Sequence, residues 1–391
     1  MDPTGQADKI FAALAGIAED PLSYAEEWKR KTGRQVIAVL PMNFPSELIH
    51  AAGALPVVMQ AERTAPTDGR SLLYEYYCGF TRSLVDQAAT KKLGVFDAFL
   101  LVDHCVALLG AADAIRFELP DTPVHLAQYT ASMDEPWTPP QVQGKVDELK
   151  GVLSEICGRS ATDEGIIKSI NAFNLNRKML REIYDLRRSG EVPLTSRKIQ
   201  VLVKSSMVMD IAEHNEHLAQ LLPMLKAGSY TSNKPVKLHL SGHFCHAPHP
   251  ELLDMIEDCG AVIVDDDLYT GYRYIATDVP TERDPIAALT RWYFDRNTNT
   301  PCSTRAQKNV DWEKYLSTSA QKSGAEGIIV LMAKFCEPHM LYYPELRKEF
   351  IAANIPHLLL ETEHESPAIE MVKTRVEALI ETIRLNKTKA A

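Results

Sequence analysis

The sequence predicts an α/β protein built from two doubly wound, parallel-sheet halves of the Rossmann or flavodoxin-like kind, arising from an internal duplication, with further helices between the halves and at both ends. Three observations predict this. The order strand, loop, helix, strand in "VIAVLPMNFPSELIHAAGALPVVM" returns in "VKLHLSGHFCHAPHPELLDMIEDCGAVIVDD". A second matched pair follows in each copy: "FDAFLLVDHC" leads through a helix to "TPVHLAQ", and "AEGIIVLMAKFC" leads through a helix to "IPHLLLE". Aliphatic runs such as Ile328 to Met332 have the pattern of strands buried on both faces. Repeated units of this kind give parallel sheets whose ligands gather at the strand carboxyl ends.

Taken in order, residues 1–33 predict an N-terminal helical segment and 34–160 the first α/β domain. Residues 161–230 predict a helical bridge, and 231–391 the second α/β domain with its C-terminal helix. In each half a proline, Pro45 or Pro250, marks a helix start, and a glycine, Gly53 or Gly260, marks its end. The segment "DEPWTPPQVQGK" is a turn before a helix. From about Thr162 to Leu225, stretches such as "IIKSINAFNLNRKMLREIYDLRR" carry apolar residues at spacings of three and four, which predicts helices bridging the halves. Met1 to Lys31 and Ser366 to Lys389 also read as helices.

With 391 residues the chain exceeds one ordinary core, since domains hold about 100–200 residues. No run reaches the ~20 apolar residues of a membrane span, and the opening residues lack a signal-peptide pattern, so a cytoplasmic protein is expected. A formal charge of -10, with no basic block, argues against a nucleic-acid surface. Glycine-rich phosphate loops and G-x-S-x-G elbows are absent, so nucleotide hydrolysis and triad esterase chemistry have no support within this chain.

Seven cysteines remain: Cys78, Cys105, Cys157, Cys245, Cys259, Cys302 and Cys336. They are odd in number and scattered, which does not suit a disulfide framework. Cys105 and Cys336 each follow a strand at equivalent places, and Cys78 precedes a helix after an aromatic group of Tyr74, Tyr76 and Tyr77, with Phe80 beyond. These three loops meet one sheet edge, where helix amino ends favour thiolates and the negative charge of a thiolate-bound iron-sulfur cluster. Singly, a free cysteine is more often a small core residue than a ligand. Zinc is a further alternative, with His104, His243, His246 and His249 as nitrogen donors, although paired C-x-x-C spacing is missing. Cys157 and Cys259 read as packing residues. Cys302 in "NTPCSTR" stands before a helix and is a candidate fourth thiol, and Cys245 lies in the second copy's first loop.

The run from Arg34 through "YYCGFTRS", "VDHC", "DDDLYTGYRY", "TPCSTR" and "KFCEPH…IPHLLLETE" resembles the 2-hydroxyacyl-CoA dehydratase and benzoyl-CoA reductase family, with motif order kept throughout. The resemblance implies a [4Fe-4S] cluster held by Cys78, Cys105 and Cys336, its fourth iron open or taken by a small ligand or the substrate oxygen. It also implies a related second subunit and a separate ATP-dependent iron-sulfur activator that supplies electrons. The expected chemistry is one-electron reduction of an acyl-CoA thioester to a ketyl radical anion, leading to aromatic ring reduction or to loss of water, with ring reduction preferred. Glu47 matches a family acidic position and is a candidate for proton handling, although a helix-start carboxylate favoured by the dipole is the commoner reading of such a residue. Where some relatives have a cysteine this chain has Tyr269, and of the extra cysteines of double-cubane members only Cys245 and Cys302 remain. A metal-free, duplicated α/β binding protein, its cysteines buried in the core, is the rival from another class.

Overall fold

A computed structural model describes residues 3–390, apart from 191, 193, 228–234, 243, 244, 246 and 363–368. The first sheet contains β1 (Val36–Val39), β2 (Leu55–Val58), β3 (Ala98–Val102) and β4 (Val124–Ala127), in the order β2-β1-β3-β4. The second contains β5 (Val236–Gly242), β6 (Ala261–Asp266), β7 (Gly327–Ala333) and β8 (His357–Thr362), in the order β6-β5-β7-β8. All strand pairs within both sheets are parallel. The two orders are the same, so the repeat heard in the sequence is a repeat of topology.

The central strands explain the aliphatic runs. Every residue of β1, β3 and β7 is buried, because helices cover both faces of a parallel sheet. In β7 the period of two is visible directly: Ile329 and Leu331 enter one apolar cluster with Leu238 and Ile380, while Ile328 and Val330 enter another with Trp312 and Phe350. Gly53 and Gly260, at φ +79° and +89°, end their helices in the left-handed region that favours glycine.

The helical part between the sheets consists of Asp163–Ser189, Ser196–Ser206 and Ile211–Lys226. The long first helix fastens both halves. Its Arg177 pairs with Glu47 behind the first sheet, while Tyr184 donates to Asp266 at 2.8 Å and Arg188 to Asp265 at 2.7 Å at the end of β6. At the amino end lie the helices Pro3–Glu19 and Pro21–Thr32, and a helix over Ile369–Ala390 follows β8. The expected start of that last helix, at Ser366, falls outside the described residues.

In each sheet the chain leaves in opposite directions from the two central strands, β1 and β3 in one and β5 and β7 in the other. The loops after those strands therefore diverge and leave a crevice at the strand carboxyl ends.

Candidate functional site

Three helices begin at this edge, and a cysteine stands immediately before each. Cys78 precedes the helix Gly79–Ala89, Cys105 precedes Val106–Glu118 after β3, and Cys336 precedes Glu337–Ala352 after β7. Phe335 takes a left-handed backbone at φ +63°, so the chain turns sharply from β7 into Cys336. All three cysteines line one cavity of about 380 Å³. Its wall also includes Tyr76, Tyr77, Phe80, His104 and Cys245.

The electrostatics of these thiols are set first by burial. Burial, with the neighbouring charge of Cys78, pushes the Cys105 thiol up to about 12, against N–H groups of Leu108 and Ala107 that favour the thiolate. Burial and the charge of Cys78 raise Cys336 as well, opposed by the N–H of His339. Helix amino ends thus partly offset burial, and a bound metal would complete the offset, since a coordinating thiol is deprotonated outright. Among the described residues no group of three His, Cys, Asp or Glu side chains is placed to hold a metal ion. The thiols instead surround a volume. That donor set fits a multi-iron cluster, in which different thiolates bind different irons, better than a single zinc ion.

The remaining candidates separate clearly. Cys302 is buried in the loop between the helices Pro285–Asn299 and Trp312–Ser323; the next helix begins well beyond it. Its sulfur lies 3.1 Å from Thr304 Oγ1 and 3.9 Å from His104 Nε2. Burial raises its pKa, but His104, Arg273 and Thr304 outweigh burial and bring it down to about 6. Cys157 ends the helix Thr138–Cys157 and Cys259 caps Pro250–Asp258, neither lining the cavity. His243 and His246 lie outside the described residues, and His249 lines a second, smaller cavity of about 30 Å³. Tyr76 stacks between Tyr74 and Tyr77, with ring centroids 5.2 and 5.7 Å apart, and Tyr76 and Tyr77 line the cavity.

Glu47 is brought elsewhere. It is fully buried in the short helix Ser46–Ala51, bonded to Arg177, and lines a different cavity of about 20 Å³ with Tyr269, Tyr274 and Arg296. Among the described residues its Oε2 has no hydrogen-bond partner. Arg177 had no sequence signal: it lies 130 residues away. Cys245 reaches the thiol cavity, and the available signal was its place just after a central strand.

Fold and site together define an α/β protein of duplicated parallel sheets with a cysteine-lined cavity at a strand edge. The family model for the 2-hydroxyglutaryl-CoA dehydratase D-component matches residues 41–383, and the chain belongs to that family. It is similar to one of the subunits of benzoyl-CoA reductase from Thauera aromatica, 25% identical over 96% of this chain and 98% of that one. It is 26% identical to the (R)-phenyllactyl-CoA dehydratase beta subunit of Clostridium sporogenes, over 96% of this chain and 99% of the relative. The (R)-2-hydroxyglutaryl-CoA dehydratase beta subunit of Acidaminococcus fermentans is 24% identical, over 94% and 97%. Among the described residues no helix is long and apolar enough to cross a membrane.

Proposed function

We propose that this chain is the iron-sulfur subunit of an oxygen-sensitive enzyme acting on an acyl-CoA thioester, with Cys78, Cys105 and Cys336 holding a [4Fe-4S] cluster. The observation that carries this is the meeting of three helix-capping thiols in one cavity. When bound, such a cluster supplies low-potential single electrons. This chain's residues do the rest. The helix amino ends hold negative charge beside the thiols, and the buried wall of Phe80 and Leu108 keeps water from them. His104, fixed by Thr304 and Cys302, presents a polar ring to the same cavity.

The reaction we favour is ring reduction of the benzoyl-CoA reductase type. Tyr76 and Tyr77, stacked with Tyr74 and lining the cavity, suit an aromatic acyl group. Dehydration of a 2-hydroxyacyl-CoA is the second reading, supported by the names of the dehydratase relatives. A related second subunit and an ATP-dependent iron-sulfur activator complete the proposed system, since this chain has no nucleotide motif. The test is anaerobic purification with the neighbouring subunit and activator, analysis for iron and sulfide, and assay with benzoyl-CoA beside a 2-hydroxyacyl-CoA. A brown protein that forms the reduced ring supports the proposal. A colourless one without iron overturns it in favour of a metal-free binding protein, and conversion of the hydroxyacyl thioester alone selects dehydration.

A further inference from the structure

The thiol cavity gathers the loops after β3 and β7, strands that hold matching places in the two sheets. A second seam gathers the loops after another matching pair, β2 and β6, and encloses the cavity of about 30 Å³ beside His249. It too lies at strand carboxyl ends, where open α/β sheets take ligands. Two cations, Lys204 and Arg63, stand in its lining.

Lys204 comes from the last turn of the helix Ser196–Ser206, and Arg63 from the loop after β2. Among the described residues Lys204 has no acidic partner at ion-pair distance, and Arg63 reaches Glu251 at 3.9 Å, the limit of pairing. Burial, with the like charge of Arg63, brings the Lys204 ammonium down to about 8, against a weaker pull from Glu19. Two cations lining one small cavity without a close counter-ion favour a bound anion. Two neutral groups refine the choice. Thr270, after β6, is 4% exposed and lines the cavity, and among the described residues its hydroxyl has no hydrogen-bond partner, so it is free to donate to an oxyanion. Gln60, after β2, lines the cavity as well. Its amide nitrogen faces the Lys204 carbonyl oxygen at 3.4 Å, which leaves Oε1, buried and without a partner among the described residues, as an acceptor. An acceptor beside a bound anion needs a proton from that anion. Sulfate at neutral pH has none to give, whereas hydrogen phosphate has. The volume holds about two waters or the oxygens of one such anion.

We propose that Lys204, Arg63, Thr270 and Gln60 form a binding site for a phosphoryl oxyanion that keeps one proton, either inorganic phosphate or a phosphate monoester of the kind coenzyme A carries. Lys204 and Arg63 supply the charge, Thr270 donates a hydrogen bond, and Gln60 accepts the anion's own proton. The site stands independently of the cluster assignment.

The full chain is dialysed to equilibrium against radiolabelled inorganic phosphate in a buffer free of other oxyanions. Saturable binding is expected, weakened about 10-fold or more by Lys204→Met, the scale of one charged hydrogen bond, and less by Thr270→Val. Sulfate should compete poorly with phosphate in the wild type, and Gln60→Met should narrow that gap. Should Lys204→Met fail to fold, Arg63→Met, whose side chain is 44% exposed at the mouth, should weaken binding as well. The assignment falls if the wild type shows no saturable binding, if sulfate competes as well as phosphate, or if both cation variants bind as the wild type does. Coenzyme A and dephospho-coenzyme A then separate the sources. Displacement by coenzyme A alone identifies the monoester, and displacement by neither identifies inorganic phosphate; both results sustain the site. Displacement by both points to the diphosphate, which carries no proton at neutral pH, and overturns the assignment.

Discussion

The two halves share a topology and part company at one helix. In the first, Glu47 opens the helix after β1; in the second, Glu251 opens the helix after β5. Both belong to a proline-led start followed by leucine. Yet Glu47 is fully buried against Arg177, while Glu251 has 57% of its side chain exposed and loose contacts with Arg63, His249 and Arg197 at 3.9, 3.8 and 4.0 Å. The difference comes from cover: the helix Asp163–Ser189 lies over the first and lays its Arg177 on the acid. At the other pair of loops the halves stay alike, since Cys105 and Cys336 cap equivalent helices and line the same cavity. Duplication therefore preserved the thiol positions and let the acid diverge.

The largest test of that likeness is to remove one thiol from each half. On the proposed cluster assignment, Cys105→Ser and Cys336→Ser should each lose most of the iron and depress activity by more than about 100-fold, because even outer-shell changes at metal sites cost about 10–100-fold. Equal losses, read as iron per protein and as turnover in the complex, are expected; iron retained by either variant would show the halves to be unequal. The divergent position gives the next effect. Arg177→Met leaves Glu47 buried and uncompensated, and should lower unfolding free energy by about 3–5 kcal/mol in urea titration. A loss under about 1 kcal/mol would mean that the acid is reached by water.

How far these features were legible follows from what makes them. The strands were readable because burial on both faces turns them into aliphatic runs, and Pro45, Pro250, Gly53 and Gly260 punctuate helices through local backbone preference. Cys105 and Cys336 were readable by the same local logic, as residues between a strand and a helix. The environment of Glu47 was not, since its local sequence matches that of Glu251 and the deciding residue comes from a distant helix. For Cys302 the sequence offered a thiol and a nearby helix; its engagement with His104 and Thr304 depends on two loops packing together.

The covering helices carry a smaller, pH-dependent effect. His214 is fully buried between Asn176 Nδ2 at 2.8 Å and Ser205 Oγ at 3.0 Å, and burial, with a push from His217, lowers its pKa to about 3. Above the unfolded value near 6.5 both states are neutral and nothing is lost. Below it the unfolded chain takes up a proton that the folded one refuses, so stability falls as pH drops, by about 1.4 kcal/mol per unit. His50 and His339 are lowered by burial too and add in the same direction. The measurement is therefore the difference between wild type and His214→Gln from pH 6.5 to 5.5, where the variant should show the flatter profile.

The smallest effect belongs to the exposed twin of Glu47. Glu251→Gln removes a charge that water already solvates and whose partners stand at the limit of ion-pairing distance, Arg197 at 4.0 Å among them. Arg197 keeps its close pair with Asp254, which the substitution leaves in place. The helix loses one acid from its first turn, worth a few tenths of a kcal/mol through the dipole and reduced further by salt. Unfolding free energy should therefore change by less than about 0.5 kcal/mol. A larger loss would mean that the second half, like the first, hides its acid in the assembled enzyme, and repeating the titration with the partner subunit bound would show whether that subunit supplies the cover that the long helix gives Glu47.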